Sequence, residues 1–360
     1  MTLPYGIQQI QQQLNALPLP NPKFLADFLV ALMTCQKVAL HKIANAMPGE
    51  AKPTSHEQRI RRYLDLPRLC FARALADLLP QPAPWVLALD RTNWKRADTN
   101  VNYLVLAVIV GNTAVPLLWR VLEHPGNSDT CERIDLLEQF LERFGRRSVR
   151  LITADREFIG QDWLAWLIQQ QLPFCVRIRR TDLLTHADGT CDEACTFFKR
   201  ACRCRKLPFL LWNQRVYVGG KRVADGDWLI VISNREGNLL GQYRHRWGIE
   251  TLFQSLKKRG FDLESSCTTR TQAILGLLSL CYVWCLRMGL FLCGTDPVPL
   301  LKHGRLAQSW FRRGLDYLHR LLAPLSGRPN RVGFDRALLL LGPVPLPAKL
   351  CLIFPRNSGA

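Results

Sequence analysis

Two aspartates close strand-like runs: Asp90 follows Val86-Leu87-Ala88-Leu89, and Asp155 follows Leu151-Ile152-Thr153-Ala154. A carboxylate at the exit of a buried strand faces the rim of a sheet. Because desolvating an unpaired carboxylate is costly, it takes a partner there: a cap, an arginine or a metal. Taken alone, either aspartate reads first as a cap or an ion pair. A third acid, Glu250, lies among bases, since Tyr243, Arg246, Glu250 and Lys257 are separated by two, three and six residues. At about 100° per residue these four fall within roughly 60° of one another on a helix. Ile249, Leu252, Phe253 and Leu256 form the neighbouring apolar side, so the helix can pack while showing a polar stripe. The plainest reading of that stripe is a solvated Arg246–Glu250 pair worth a few tenths of a kcal/mol.

The elements that must position these residues are legible around them. Apolar, β-branched runs at 85–90, 103–110 and 114–122 predict strands, followed by a helix at 128–144 with Ser128 as N-cap and Gly145 just past its end. A strand at 149–154, a helix at 161–171 and a strand at 174–179 come next. This order points to an α/β fold, a mixed sheet covered by helices. Between 180 and 237 the regularity breaks into polar, Cys-bearing sequence with strand-like runs at 208–212, 215–218 and 227–233, a mainly β insertion. Helical sequence resumes at about 239–260, then a buried apolar helix at 271–292 and a basic amphipathic one near 305–322. Residues 22–65 read as three short helices. The last opens at Ser55 with Gln58 in capping-box spacing, and its Arg59 and Arg62 share a face suited to DNA. The domains expected are 1–84, a helical DNA-binding region; 85–292, the α/β region; and 293–360, a basic helical region.

Lys and Arg number 48 against 29 Asp and Glu, a net charge of +19 and a pI near 9.7. A polyanion is therefore the first partner to consider, and the spread of charge along the chain excludes a single basic tail. Thirteen cysteines, an odd number, behind a polar N-terminus argue against a disulfide framework and for a reducing cytoplasm. The apolar stretch 273–286 stops at Arg287, short of the roughly 20 residues of a membrane span. Cys191, Cys195, Cys202 and Cys204, with His186 nearby, fit no common zinc spacing and read as reduced thiols.

Tyr-x2-Arg-x3-Glu-x6-Lys, from Tyr243 to Lys257, resembles the signature of DDE transposases of insertion-sequence family four. Asp90-Arg91-Thr92-Asn93-Trp94, Gly126-Asn127-Ser128-Asp129-Thr130 and Ala154-Asp155-Arg156-Glu157-Phe158 are similar to that family's first-Asp, connecting and second-Asp segments. The resemblance covers at least residues 85–260. It implies a ribonuclease-H-like sheet with a β insertion, and a catalytic triad of Asp90, Asp155 and Glu250 holding two Mg²⁺ ions, with Mn²⁺ able to substitute. Carboxylates suit hard cations, and two such ions about 4 Å apart serve in-line phosphoryl transfer. The implied partners are double-stranded DNA at terminal inverted repeats and target sites, and a second copy of the chain when ends are paired. The implied setting is the bacterial cytoplasm, at the nucleoid. Cleavage through a hairpin intermediate is one route known in the family. Tyr243, Arg246 and Lys257 would grip backbone phosphates. Trp228 resembles the insertion-domain Trp on which a flipped base stacks, with a core role the alternative; Trp94 and Trp247 are weaker candidates. Another ribonuclease-H-like nuclease and a catalytically silent DNA-binding derivative stay open as rival readings.

Overall fold

The computed structural model describes residues 3–67, 69–96, 99–198, 203–204, 208–223, 226–265, 270–302, 306–322, 331–343 and 345–346. Helices α1 (Leu3–Leu14), α2 (Pro22–Cys35), α3 (Leu40–Ala46), α4 (Pro53–Leu64) and α5 (Ala72–Asp77) precede strands β1 (Trp85–Arg96), β2 (Thr99–Val110) and β3 (Thr113–Leu122). Then come α6 (Thr130–Phe144), β4 (Val149–Ala154), α7 (Gln161–Gln169) and β5 (Phe174–Ile178). The insertion carries β6 (Leu183–Thr185), β7 (Cys191–Glu193), β8 (Arg203–Cys204), β9 (Phe209–Leu211), β10 (Gln214–Arg222) and β11 (Trp228–Ser233). Helices α8 (Leu239–Tyr243), α9 (Trp247–Lys257), α10 (Thr271–Thr295), α11 (Trp310–Leu322) and α12 (Arg331–Leu341) complete the described chain. By internal contacts it forms two compact units: Met1–Gln81 with Trp94–Val101 and Leu252–Ala360, and Pro82–Asn93 with Asn102–Thr251.

The second unit is built on the sheet, whose order is β3-β2-β1-β4-β5-β11-β10-β9-β6-β7, with β8 beside β10. β1, β4 and β5 are parallel, in the register Leu89↔Ala154↔Val176, and β2 and β3 are antiparallel. The β3-β2-β1-β4-β5 order with this pairing is the ribonuclease-H-like sheet expected. β4 and β5 sit centrally and are mainly apolar, with Arg150 and Arg177 the charged exceptions, as strands largely covered on both faces are. The insertion does not form a detached β body: β11 pairs antiparallel with β5, Ile230 opposite Ile178, and the sheet runs on through it. α6 packs on β1 through Phe140 and Phe144, which meet the Trp85 ring edge-on. Its N-cap is Asp129 and not the expected Ser128. Asp129 Oδ1 accepts from Glu132 N–H at 2.7 Å and Glu132 Oε2 accepts from Asp129 N–H at 2.9 Å, a capping box. Ser128 instead accepts from Arg133 Nε at 3.0 Å.

The first unit is helical and centred on α10, which packs against α2, α5, α11 and α12. α10 is longer than the apolar run predicted and long enough to cross a membrane, yet it is almost wholly buried among those helices. Arg287 does not end it. Its guanidinium donates to the carbonyls of Leu340 and Leu78, both at 2.8 Å, and of Gly342 at 3.2 Å. Burial draws its pKa down to about 10. α4 starts at Pro53, which needs no N–H partner at a helix start; the capping box expected at Ser55 is not formed.

Candidate active site

Asp90 lies within β1 and does not close it as expected, because the strand runs on to Arg96, whereas Asp155 follows the last residue of β4; each is one residue beyond Leu89↔Ala154, the last pair between these parallel strands. Asp90 Oδ1 accepts from the N–H of Arg91 at 2.8 Å and Oδ2 from Arg246 Nη1 at 3.3 Å. Burial raises the Asp90 carboxyl to about 6; the Arg91 N–H and Arg246 oppose the rise, and Glu157 and Asp155 add to it. Asp155 is more open. Its Oδ1 accepts from Arg156 N–H at 2.7 Å and the Tyr243 hydroxyl at 3.1 Å, and has Arg177 Nη1 at 4.0 Å. Among the described residues these contacts all fall on Oδ1, leaving Oδ2 open.

The expected single helix over 239–260 is broken: α8 ends at Tyr243, Arg244–Arg246 form a tighter 3₁₀ turn, and α9 starts at Trp247. The signature nevertheless converges. Tyr243 is buried, and burial pushes its phenol up and keeps it a donor to Asp155. Arg246, also buried, reaches Asp90 with one nitrogen and Glu250 with the other. Burial opposes its charge, but Tyr243, Asp155 and Glu250 hold its pKa above the usual value. Gly248 brings α9 close to the sheet: a Cβ there would lie 2.6 Å from the Thr113 carbonyl oxygen, so any side chain would lift Glu250 away.

Sequence reasoning missed the layer beneath. Arg91 binds Glu157 at 3.3 Å, Asn102 Oδ1 at 3.1 Å and Asn127 Oδ1 at 3.1 Å. Arg133 donates to the Glu157 carbonyl at 3.1 Å. The Arg91–Glu157 ion pair thus ties the first-Asp and second-Asp segments, and the hydrogen bond from Arg91 to Asn127 adds the connecting segment. The available signal was adjacency, as Arg91 follows Asp90 and Glu157 sits two beyond Asp155.

The remaining candidates divide between the two units. Lys257 falls in the first unit, 3.4 Å from Glu264 Oε1 and 5.4 Å from the centroid of the Trp94 ring; burial lowers its pKa and Glu264 opposes that. Trp228 opens β11 half-buried, with the Arg222 guanidinium 5.8 Å from its ring centroid and the Phe198 ring at 6.4 Å. Trp94 is buried and Trp247 is 60% exposed. On α4, Arg59 is paired with Asp27 at 2.8 Å and lies over the Phe24 ring, whereas Arg62 is exposed. His186 binds Asp192, and Cys191 and Cys195 are free thiols; Cys202 and the side chain of Cys204 lie outside the described residues.

Among the described residues, no three His, Cys, Asp or Glu side chains form a metal-binding cluster, and Arg246 pairs with both Asp90 and Glu250. The donor set nevertheless fits a hard divalent cation. All three are carboxylates, Asp155 Oδ2 is open, and Asp90 keeps a raised pKa beside Arg246, so its negative charge is only partly compensated.

The family described as transposase DDE domain matches residues 81–284, more than half of the chain. No curated protein matches in sequence. Among solved structures the chain is similar to one described as a piggyBac transposase synaptic complex with hairpin DNA. The identity is 12% and the TM-score 0.44, over 95% of this chain and 84% of that one. With the family match spanning the sheet, both aspartates and the Tyr243–Glu250 turn, the chain belongs to the DDE transposase family, enzymes that bind, cut and rejoin DNA.

Proposed function

We propose that Asp90, Asp155 and Glu250 are the catalytic triad of an insertion-sequence transposase of the Tyr-Arg-Glu-Lys group, acting on terminal inverted repeats. The observation that carries this reading is the convergence of Tyr243 on Asp155 and of Arg246 on Asp90 and Glu250. Asp90, Asp155 and Glu250 would hold two divalent cations, Mg²⁺ or Mn²⁺, which when bound activate the attacking oxygen and stabilise the leaving one.

The protein's own groups do the rest. Asp90, protonated in part near pH 6, must give up its proton to act as a ligand. The Tyr243 hydroxyl fixes Asp155 through Oδ1, which leaves Oδ2 for a ligand. Arg246 serves as countercharge to Asp90 and Glu250 before loading, and its planar fork is then free to hold a phosphate. The Arg91–Glu157 pair holds the two aspartate segments in one frame. Such a site serves hydrolysis at the transposon end and then attack by the released 3′-hydroxyl, on the opposite strand as a hairpin or on target DNA. Two copies of the chain act together, one on each end.

The test is incubation with DNA carrying the flanking repeats, with and without Mg²⁺, while the cut strands are mapped. Asp90→Asn, Asp155→Asn and Glu250→Gln should each bind ends normally and cleave at below about a hundredth of the wild-type rate, since a metal's contribution spans several kcal/mol. Faster cleavage by any of the three removes that residue from the site.

A further inference from the structure

We infer that Arg177 is a positioning residue for strand cleavage, its guanidinium tying Asp155 to Asp227 and Trp228 at the root of β11. The inference rests on the reading of Asp155 as a catalytic ligand.

The sheet register dictates the placement. Asp90 within β1, Asp155 just past the end of β4 and Arg177 within β5 each follow by one residue the Leu89↔Ala154↔Val176 pairing and so extend one row. Residues in such a row share a face, so the row reads acid, acid, base. Arg177 continues it onto β11, where it lies opposite Val231.

Arg177 is the single charge in Phe174-Cys175-Val176-Arg177-Ile178, a strand whose other side chains are buried. A charge on a central strand is costly unless it is paired, and its pairing is divided between two segments. Nη1 faces Asp155 Oδ1 at 4.0 Å, while Nη2 faces Asp227 Oδ2 at 3.5 Å and the Trp228 carbonyl at 3.4 Å. Nε is buried without a hydrogen-bond partner among the described residues. These contacts are longer than the 2.7–2.9 Å usual for a charge-assisted hydrogen bond. The guanidinium is therefore shared between the catalytic carboxylate and the insertion, and not locked to either. A planar fork can span two acceptors that a lysine ammonium cannot. A shift at the start of β11, where Trp228 sits, is passed to Asp155 through this one side chain.

The experiment is a double-mutant cycle on the full chain, using labelled transposon-end DNA. End affinity is measured in EDTA, and the single-turnover cleavage rate of bound DNA in Mg²⁺. Arg177→Gln and Asp227→Asn should each slow cleavage about tenfold and leave end affinity within about threefold, the signature of an interaction that acts in the chemical step. The double variant should be no slower than Arg177→Gln, because both changes break one bridge. Arg177→Lys should not restore the rate. Multiplying effects, full rescue by Lys, or a loss of end affinity above about tenfold would each overturn the bridge. Asp227 is partly exposed, so Asp227→Asn is expected to stay folded even where Arg177→Gln does not, and wild-type cleavage by it alone would also overturn the proposal. Asp155→Asn runs beside them: cleavage by that variant refutes the triad, whatever the cycle returns.

Discussion

Arg246 and Asp90 are 156 residues apart in the chain and 3.3 Å apart in the structure, and Arg246 also binds Glu250. A guanidinium placed between two carboxylates neutralises the charge that a divalent cation would use on the proposed reading, so metal and arginine would compete for it.

That competition is measurable without DNA. Breaking a buried ion pair by removing one partner costs about 3–5 kcal/mol, so Arg246→Gln should melt well below wild type in EDTA. A divalent cation then replaces the missing charge. Mg²⁺ should raise the melting temperature of Arg246→Gln more than that of wild type, because only in wild type must it displace a resident cation. Equal rises in both proteins would mean that Arg246 and the metal do not exclude one another.

Asp90 gives a pH signature. Its carboxyl lies at about 6 when folded against 3.8 in its ordinary state, so the folded protein binds that proton more tightly than the unfolded chain does. The resulting stabilisation is fully present below about pH 4 and is lost as pH rises through about 6, a contribution of about 3 kcal/mol at most. Asp90→Asn does not titrate. In EDTA, the stability of the variant relative to wild type should therefore climb between pH 4 and 6 and level off by pH 7. Urea unfolding at several pH values reads this difference directly, and a flat one would show that Asp90 carries an ordinary carboxyl.

The parts of this site that the sequence made legible are those encoded locally. β4 was predicted to the residue, since its apolar run is bounded by Ser148 and closed by Asp155. β1 runs on to Arg96 because a paired strand tolerates polar side chains such as Arg91 and Asn93 that an apolar-run criterion rejects. The four-residue signature was visible as spacing, but its partners were not. Tyr243 meets Asp155 across 88 residues, and Arg91 meets Glu157 across 66. Arg177 escaped for the same reason, since a lone charge at the end of an apolar strand reads as its exposed terminus until β11 is known to cover it. The start of α4 was misplaced at Ser55 because Pro53 sets the first turn without a side-chain cap.

End binding should weaken steeply with salt, as Lys and Arg displace counterions from phosphate. The geometry separates the candidates. Arg62→Ala should lower the salt slope by about one unit, and Lys257→Ala likewise if DNA draws it from Glu264. Arg59→Ala should leave the slope alone and lower stability, because it uncovers the buried Asp27. An unchanged slope in Arg62→Ala takes α4 out of the DNA footprint, and a lowered slope in Arg59→Ala means its pair with Asp27 opens on DNA.

Trp228 is the sharpest case, being neither core nor bare. It is half-buried against Phe198, and Arg222 covers its ring at 5.8 Å. A flipped base stacking there must first displace that cation, a loss of about 0.5–1 kcal/mol at an exposed site. The base regains roughly 1–3 kcal/mol of stacking, so the exchange is favourable. If Trp228 is a platform, Trp228→Ala should melt near wild type, bind ends and make the first cut. It should fail at second-strand cleavage, where one strand is bent back on the other and the extruded base has lost its support. If it is core, the same change should cost roughly 3–5 kcal/mol and depress every activity together. Arg222→Ala separates the two further: clearing the ring should leave a platform competent for both cuts, and should weaken a core residue by removing part of its cover. Thermal melting beside strand-resolved cleavage of a labelled end decides it, and normal melting with normal second-strand cleavage in Trp228→Ala would refute the platform.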